Sequence, residues 1–340
     1  MKKYSISNKN LIVFFVVTFG LTILMGFAMS MAYPLYSVGA FPLIQMYYPA
    51  LGAVIALSLN KEFRKEIPKN FFSTYILLVI VSISYLLIKL FIFHQAPDGG
   101  VNFAVLIGSI ALFAAYSSDE KEKIERFGLK FQKNLKESAY HIILFVLLYL
   151  LCLLIALLIG GEVGEFVTPF KSSRTWIRLL TLPLSFCASY PIFFGEEYGW
   201  RYFLQPALQE RIGKRKGVLL LGLIWGIWHL PINMFYYSPE TPFYSVLSQL
   251  VACISYSVFF GYVYMKTENI WTLSIIHFLN NNLGHVLYDI TGTNMVISWE
   301  SILFNLVVFS VIYIPFLLSK VYRNSPNVNI NADEYKELDI

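Results

Sequence analysis

The sequence predicts an all-α, polytopic integral membrane helical bundle of about ten transmembrane helices, each near the ~20 apolar residues needed to cross a bilayer. Composition, the spacing of apolar runs and the placement of charge all point the same way. Of 340 residues, 57% are apolar and 14% charged, with a mean hydropathy of +0.60. Soluble domains carry about a quarter charged residues, so this chain cannot cover a water-soluble surface. The high apolar content also excludes disorder. Cys152, Cys187 and Cys253 all lie inside apolar runs, which excludes a disulfide framework.

The runs are read in chain order. The first four are Leu11–Tyr33, Phe41–Leu59, Phe71–Phe93 and a shorter Val101–Ser117. The fifth is Ser138–Gly160, and the sixth starts at Ile177 and stays apolar to Leu208. Gly217–Phe235, Phe243–Met265, Trp271–Ile290 and Ile302–Ser319 complete the set. With the N-terminus in the cytoplasm, 22 of the 26 Lys and Arg fall on the cytoplasmic side. That asymmetry follows the positive-inside rule and sets both termini in the cytoplasm, in a multi-pass cell-membrane protein. It also accounts for the net charge of +5 without nucleic acid as a partner; membrane lipids are the expected surroundings. The start, with Lys2 and Lys3, reads as an anchor rather than a cleaved signal, because its apolar stretch is too long. Residues 1–137 form an N-terminal region of four spans and a basic loop, with little visible chemistry. Residues 138–320 form the functional core, and 321–340 a disordered cytoplasmic tail. No repeat or matching pair of broken helices marks a transporter.

Ionisable groups inside spans are costly and are functional candidates by default. The sixth run holds Gly195-Glu196-Glu197-Tyr198-Gly199-Trp200-Arg201. Glu197 and Arg201 are four apart, in the favourable order for an ion pair. Glu196 is rotated by roughly 100° and has no local partner. Gly195 and Gly199 form a small face that admits another helix. The seventh run holds Trp225 and His229, followed by Pro231. Pro231 has no N–H for the Ile227 carbonyl, so a kink is expected beside His229. In the ninth, His277 and Asn281 share a face, with Asn280, Asn282 and His285 nearby. Counted at 1.5 Å per residue from the cytoplasmic ends, Glu196 and His229 lie about 18 Å deep, Asn281 about 15 Å and His277 about 9 Å. One water-filled cavity facing the cytoplasm is the expectation.

A free carboxylate and a histidine can deprotonate a water. A second histidine with an Asn four residues on offers two donors to an oxyanion. These parts describe hydrolysis of an acyl bond, although Cys253 and Ser255 of the eighth run stay open as nucleophiles. The alternative is metal-assisted: Glu196, His229 and His277 as ligands of a divalent ion such as Zn2+. No HExxH or other short-spaced zinc motif is present, so no required cofactor is the preferred reading.

Glu196-Glu197-x-x-x-Arg201, Trp225-x-x-x-His229 and His277-x-x-x-Asn281 resemble the three motifs of the CPBP family, the CAAX-protease and bacteriocin-processing (Abi) intramembrane endopeptidases. The likeness covers roughly Ile177–Ile290. Trp225 departs from it, the family more usually having Phe there. The resemblance implies that Glu196 and His229 activate the attacking water and that His277 and Asn281 hold the oxyanion. Glu197 and Arg201 would order the site. It further implies a peptide or lipidated-protein substrate, CAAX-type prenylated or bacteriocin-like. A non-catalytic immunity or scaffold protein, binding a peptide through the same cavity, is the competing reading.

Overall fold

The computed structural model describes residues 6–323, and no strand occurs among them. The helices are α1 (Asn8–Ala32), α2 (Ala40–Gln45), α3 (Tyr48–Ser58), α4 (Lys61–Arg64), α5 (Lys69–Phe91), α6 (Asp98–Ser118), α7 (Lys121–Arg126) and α8 (Leu135–Ile159). They continue as α9 (Ser173–Glu197), α10 (Gln205–Ile212), α11 (Lys214–Trp228), α12 (Leu230–Ile232), α13 (Pro242–Thr267), α14 (Ile270–Tyr288) and α15 (Trp299–Tyr313). The cytoplasmic tail expected at 321–340 lies, from residue 324 on, outside the described residues.

Every apolar run of the sequence forms a helix. Eight helical stretches are long and apolar enough to cross a membrane, and a ninth counts if α11 and the segment Leu230–Tyr237 are one bent span. The run expected as the ninth of ten spans is the 19-residue helix α14. Its three Asn and two His make it too polar to qualify on the same terms. The fourth run, short in sequence, extends to 21 residues as α6.

Burial separates the helices by role. In α2–α3, 83% of the best apolar window is buried, against 6% in α8. The second span is therefore a central helix and α8 faces lipid. The small face on the sixth span meets this central helix. A Cβ on Gly195 would strike Met46 O, and one on Gly199 would strike Pro49. Only glycine lets the two backbones come this close. α1 closes on the other side of α3 through the Asn10 amide, which donates to Ala56 O at 2.5 Å.

Two irregularities shape the second half. Residues 198–204 form a π-helical turn between α9 and α10, in which Gln205 N–H reaches back five residues to Trp200 O. Pro206, lacking an N–H, cannot continue that ladder by one more bond. The expected kink at Pro231 is present: α11 ends at Trp228 and the chain bends by 44° at His229. On the face away from the basic loops, the 289–298 loop is pinned by Asn294 N to Tyr236 O and Met295 N to Tyr237 O. There too, Arg178 binds Asp289 at 2.6 Å and holds that carboxyl below the usual carboxylate range.

Replacing Gly199 by Leu should cost roughly 1–3 kcal/mol by overpacking against Pro49. The check is thermal unfolding in detergent, with Gly20→Ala as the control. Nothing lies within 4 Å of a Cβ at Gly20, and that variant should unfold at or slightly above the wild-type temperature.

Candidate active site

Glu197 is completely buried and has two partners. Arg201 Nε donates to its Oε2 at 3.1 Å, the pair expected from the i, i+4 spacing. His277 Nδ1 donates to its Oε1 at 2.7 Å, across 80 residues of chain. A carboxylate only accepts, so the proton on that ring nitrogen is assigned to Nδ1. Arg201 is held further by Ser257, whose Oγ accepts from Nη1 at 3.1 Å and itself donates to Val218 O. The guanidinium lies over the rings of Trp225 and Phe260, at 4.8 and 5.3 Å from their centroids. α9, the π turn, α11, α13 and α14 are thus tied at one point.

Glu196 turns away from this network, as its rotation on the helix predicts. Its Oε2 accepts from Trp225 Nε1 at 2.8 Å. His229 Nδ1 lies 2.8 Å from Trp225 O, which makes Nδ1 the protonated nitrogen and leaves a lone pair on Nε2. The Trp225 ring stands 5.8 Å, centroid to centroid, from both His229 and His277. Around this one indole the three motifs meet.

Glu196, His229 and His277 are 2–5% exposed. Seven buried side-chain polar atoms of the described residues have neither a partner nor contact with solvent. Glu196 Oε1, His229 Nε2 and His277 Nε2 are not among them and take no part in the hydrogen bonds described above. Asn281 sits one turn beyond His277, exposed, and its Oδ1 accepts from Asn280. It is not drawn into the buried cluster. Cys253 Sγ is 3.9 Å from His229 Nδ1, the nitrogen already committed to Trp225 O, which is the wrong side for a thiol activated by this histidine.

Several residues that sequence reasoning missed support His229. Gln45, in α2, donates to Trp228 O at 2.9 Å and braces the kink from the first half of the chain. Asn233 donates to His229 O at 3.0 Å and accepts from Ser245 Oγ at 2.6 Å. All three are buried. A lone amide inside an apolar run is itself a costly feature, and that signal could have found Gln45 and Asn233.

The zinc alternative does not fit this donor set. Among the described residues no three His, Cys, Asp or Glu side chains are grouped so as to hold a metal ion.

Beside the cluster, Arg201, Phe203, Val218, Ser257 and Phe260 are all fully buried.

Residues 176–283 match the family model described as type II CAAX prenyl endopeptidase, Rce1-like. That segment is similar to the CPBP/CAAX protease family. A curated relative, CAAX prenyl protease 2 of Methanococcus maripaludis, is 26% identical over 205 residues, covering 57% of this chain and 73% of the relative. No solved structure matches the chain. The matched segment contains all three motifs and ends just beyond Asn281. The match and the apolar helices together support a multi-pass membrane protein of peptidase type.

Arg201→Met should destabilise the protease by roughly 3–5 kcal/mol, because one partner of a buried ion pair is removed. Glu196→Gln should change stability little, since its amide oxygen still accepts from Trp225. Thermal unfolding of both variants in the same detergent checks the contrast.

Proposed function

We propose that this protein is an intramembrane endopeptidase that hydrolyses a peptide bond of a membrane-associated substrate with a water activated by Glu196 and His229. The observation that carries the reading is the meeting of Glu196, His229 and His277 around the Trp225 indole. The family match supports it.

Water bound between Glu196 and His229 attacks the scissile carbonyl carbon. Its proton passes to the lone pair of the carboxylate or of His229 Nε2, and from there to the departing amine as the C–N bond breaks. The carbonyl oxygen becomes an oxyanion at the tetrahedral stage. His277, doubly protonated with Nδ1–H on Glu197, presents Nε2–H to it, and the Asn281 amide, one turn along, donates from the substrate side. Glu197 and Arg201 act through His277 as positioning groups. Trp225 positions Glu196 through its indole N–H, which a Phe could not do. No step requires a metal or another cofactor. The basic loops and both termini are assigned to the cytoplasm from charge alone. The substrate is a peptide or a lipidated protein; the relative's name concerns prenylated proteins, and whether a prenyl group is needed here is read by the test.

The test is cleavage of quenched peptides, prenylated and plain, by purified protein in liposomes. Glu196→Ala and His229→Ala should each lower the rate by about 10²–10⁴-fold, the range for loss of a general acid–base group, and a chelator should leave it unchanged. Full activity in either variant would overturn the mechanism, and loss with chelator would reinstate a metal. Trp225→Phe should keep the fold and lower turnover by roughly tenfold, the worth of one buried hydrogen bond. Steady-state kinetics would show this as a fall in kcat with KM little changed.

A further inference from the structure

The chain from Ser310 to Arg323 packs beside the first turn of α11 and leaves two adjoining cavities of opposite chemistry. α15 stops at Tyr313, because Pro315 has no N–H to continue its ladder, and Ile314–Leu318 follow as a 3-10 turn. Arg215, in the first turn of α11, donates from Nε to Leu317 O at 3.1 Å and pins that turn. One cavity, of about 450 Å³, is walled by Ser310, Ile314, Pro315, Leu317 and Leu318. The other, also of about 450 Å³, is walled by Gly213, Lys214, Lys216, Tyr322 and Arg323. Arg215 belongs to both.

The first cavity is an apolar trough, with Arg215 its one charged wall. From Leu318 back to Ser310 it runs roughly 12–14 Å, at 1.5–2.0 Å per residue. It therefore leads from the basic end of the bundle into the depth that the span Trp299–Leu318 crosses. The second cavity is a cup with four cations, Lys214, Arg215, Lys216 and Arg323, and no Asp or Glu lines either cavity. Like charges around one cup repel, and an anion among them turns that cost into attraction. The positive end of the α11 dipole, capped by Gly213 without a side chain, borders the same cup. Tyr322 donates from its hydroxyl to Val258 O and fixes the chain that delivers Arg323 to the rim. A small anion has no use for the trough, and an apolar chain has none for the cations. A ligand that carries both uses the whole surface.

We infer that the two cavities form one binding site for an anionic phospholipid of the leaflet on the basic-loop side. Its phosphate sits in the cup, one acyl chain lies along the trough, and Arg215 marks the junction. Basic pockets beside membrane helices at that level suit such headgroups. A lipid held there ties the start of α11 to the end of α15, and α11 is the helix that carries Trp225.

The test titrates phosphatidylglycerol and phosphatidylcholine into the full chain in detergent and counts bound lipid by native mass spectrometry. Phosphatidylglycerol should bind at least about tenfold more tightly, and Lys216→Gln combined with Arg323→Gln should weaken it about 25-fold, at roughly fivefold for each cation beside an anionic headgroup. Lys121→Gln combined with Lys136→Gln removes the same charge from the 118–137 loop and should change binding by less than about twofold, since screening confines the effect to nearby charges. All four of these side chains are exposed, so neither variant disturbs the core. Glycerol phosphate, a headgroup without tails, should bind at least about tenfold less tightly than the lipid, and Leu318→Gln should weaken the lipid alone. Equal affinity for the two lipids, or an equal loss in the two charge variants, would overturn the site. Glycerol phosphate or inorganic phosphate binding as tightly as the lipid would overturn it too, by assigning the cup to a soluble phosphate. If lipid selectivity emerged only after Asp333, Glu334, Glu337 and Asp339 were changed to Asn or Gln, the cup would belong to the chain's own acidic end and the lipid reading would fall.

Discussion

One buried carboxylate organises this protein. Glu197 has no contact with solvent, and a charge in such a place persists only if fully partnered. Arg201 supplies a charge from one turn further along the same chain segment, and His277 supplies a second bond from α14. The first contact is local and the second joins elements 80 residues apart. Because both oxygens are taken, the orientation of the His277 ring is fixed, and its second nitrogen is directed away from Glu197. Glu196, next in sequence, is carried to a different face by the helix and becomes the free carboxylate. Two adjacent acids thus have separate tasks because the helix separates their directions by about 100°.

Trp225 turns that arrangement into a site. Its N–H holds Glu196, its ring carries the Arg201 guanidinium, and its carbonyl holds His229. A phenylalanine would keep the ring contacts and lose the bond to Glu196, so the departure from the family's usual residue has a structural consequence. The glycines at 195 and 199 let α3 approach closely enough to back this assembly. The first spans, silent in sequence, contribute through backbone proximity and through Gln45.

Much of this was legible beforehand. The spans followed from run length, the Glu197–Arg201 pair from spacing, the kink from Pro231, and the helical face from Gly195 and Gly199. What could not be read was which distant groups would meet. Nothing in the spacing of 197 and 277 says that they bond, and Gln45 lay in a segment read as featureless. Depth arithmetic brought four residues into one band but could not say which side chains of that band would touch. That depends on packing spread over many residues. Asn281 shows the same limit: its helical register beside His277 was clear, yet its exposure reflects the absence of a neighbour that the sequence of α14 alone does not specify.

The account stands on the bond between Glu197 and His277 that joins α9 to α14, and a double-mutant cycle measures it most directly. Unfolding free energies of wild type, Glu197→Gln, His277→Gln and the double variant would be compared in one detergent. The structure predicts a coupling within roughly 0.5–3 kcal/mol, as for residues sharing one buried network. Additivity to within about 0.3 kcal/mol would contradict it and leave the two motifs without the contact that makes them one site.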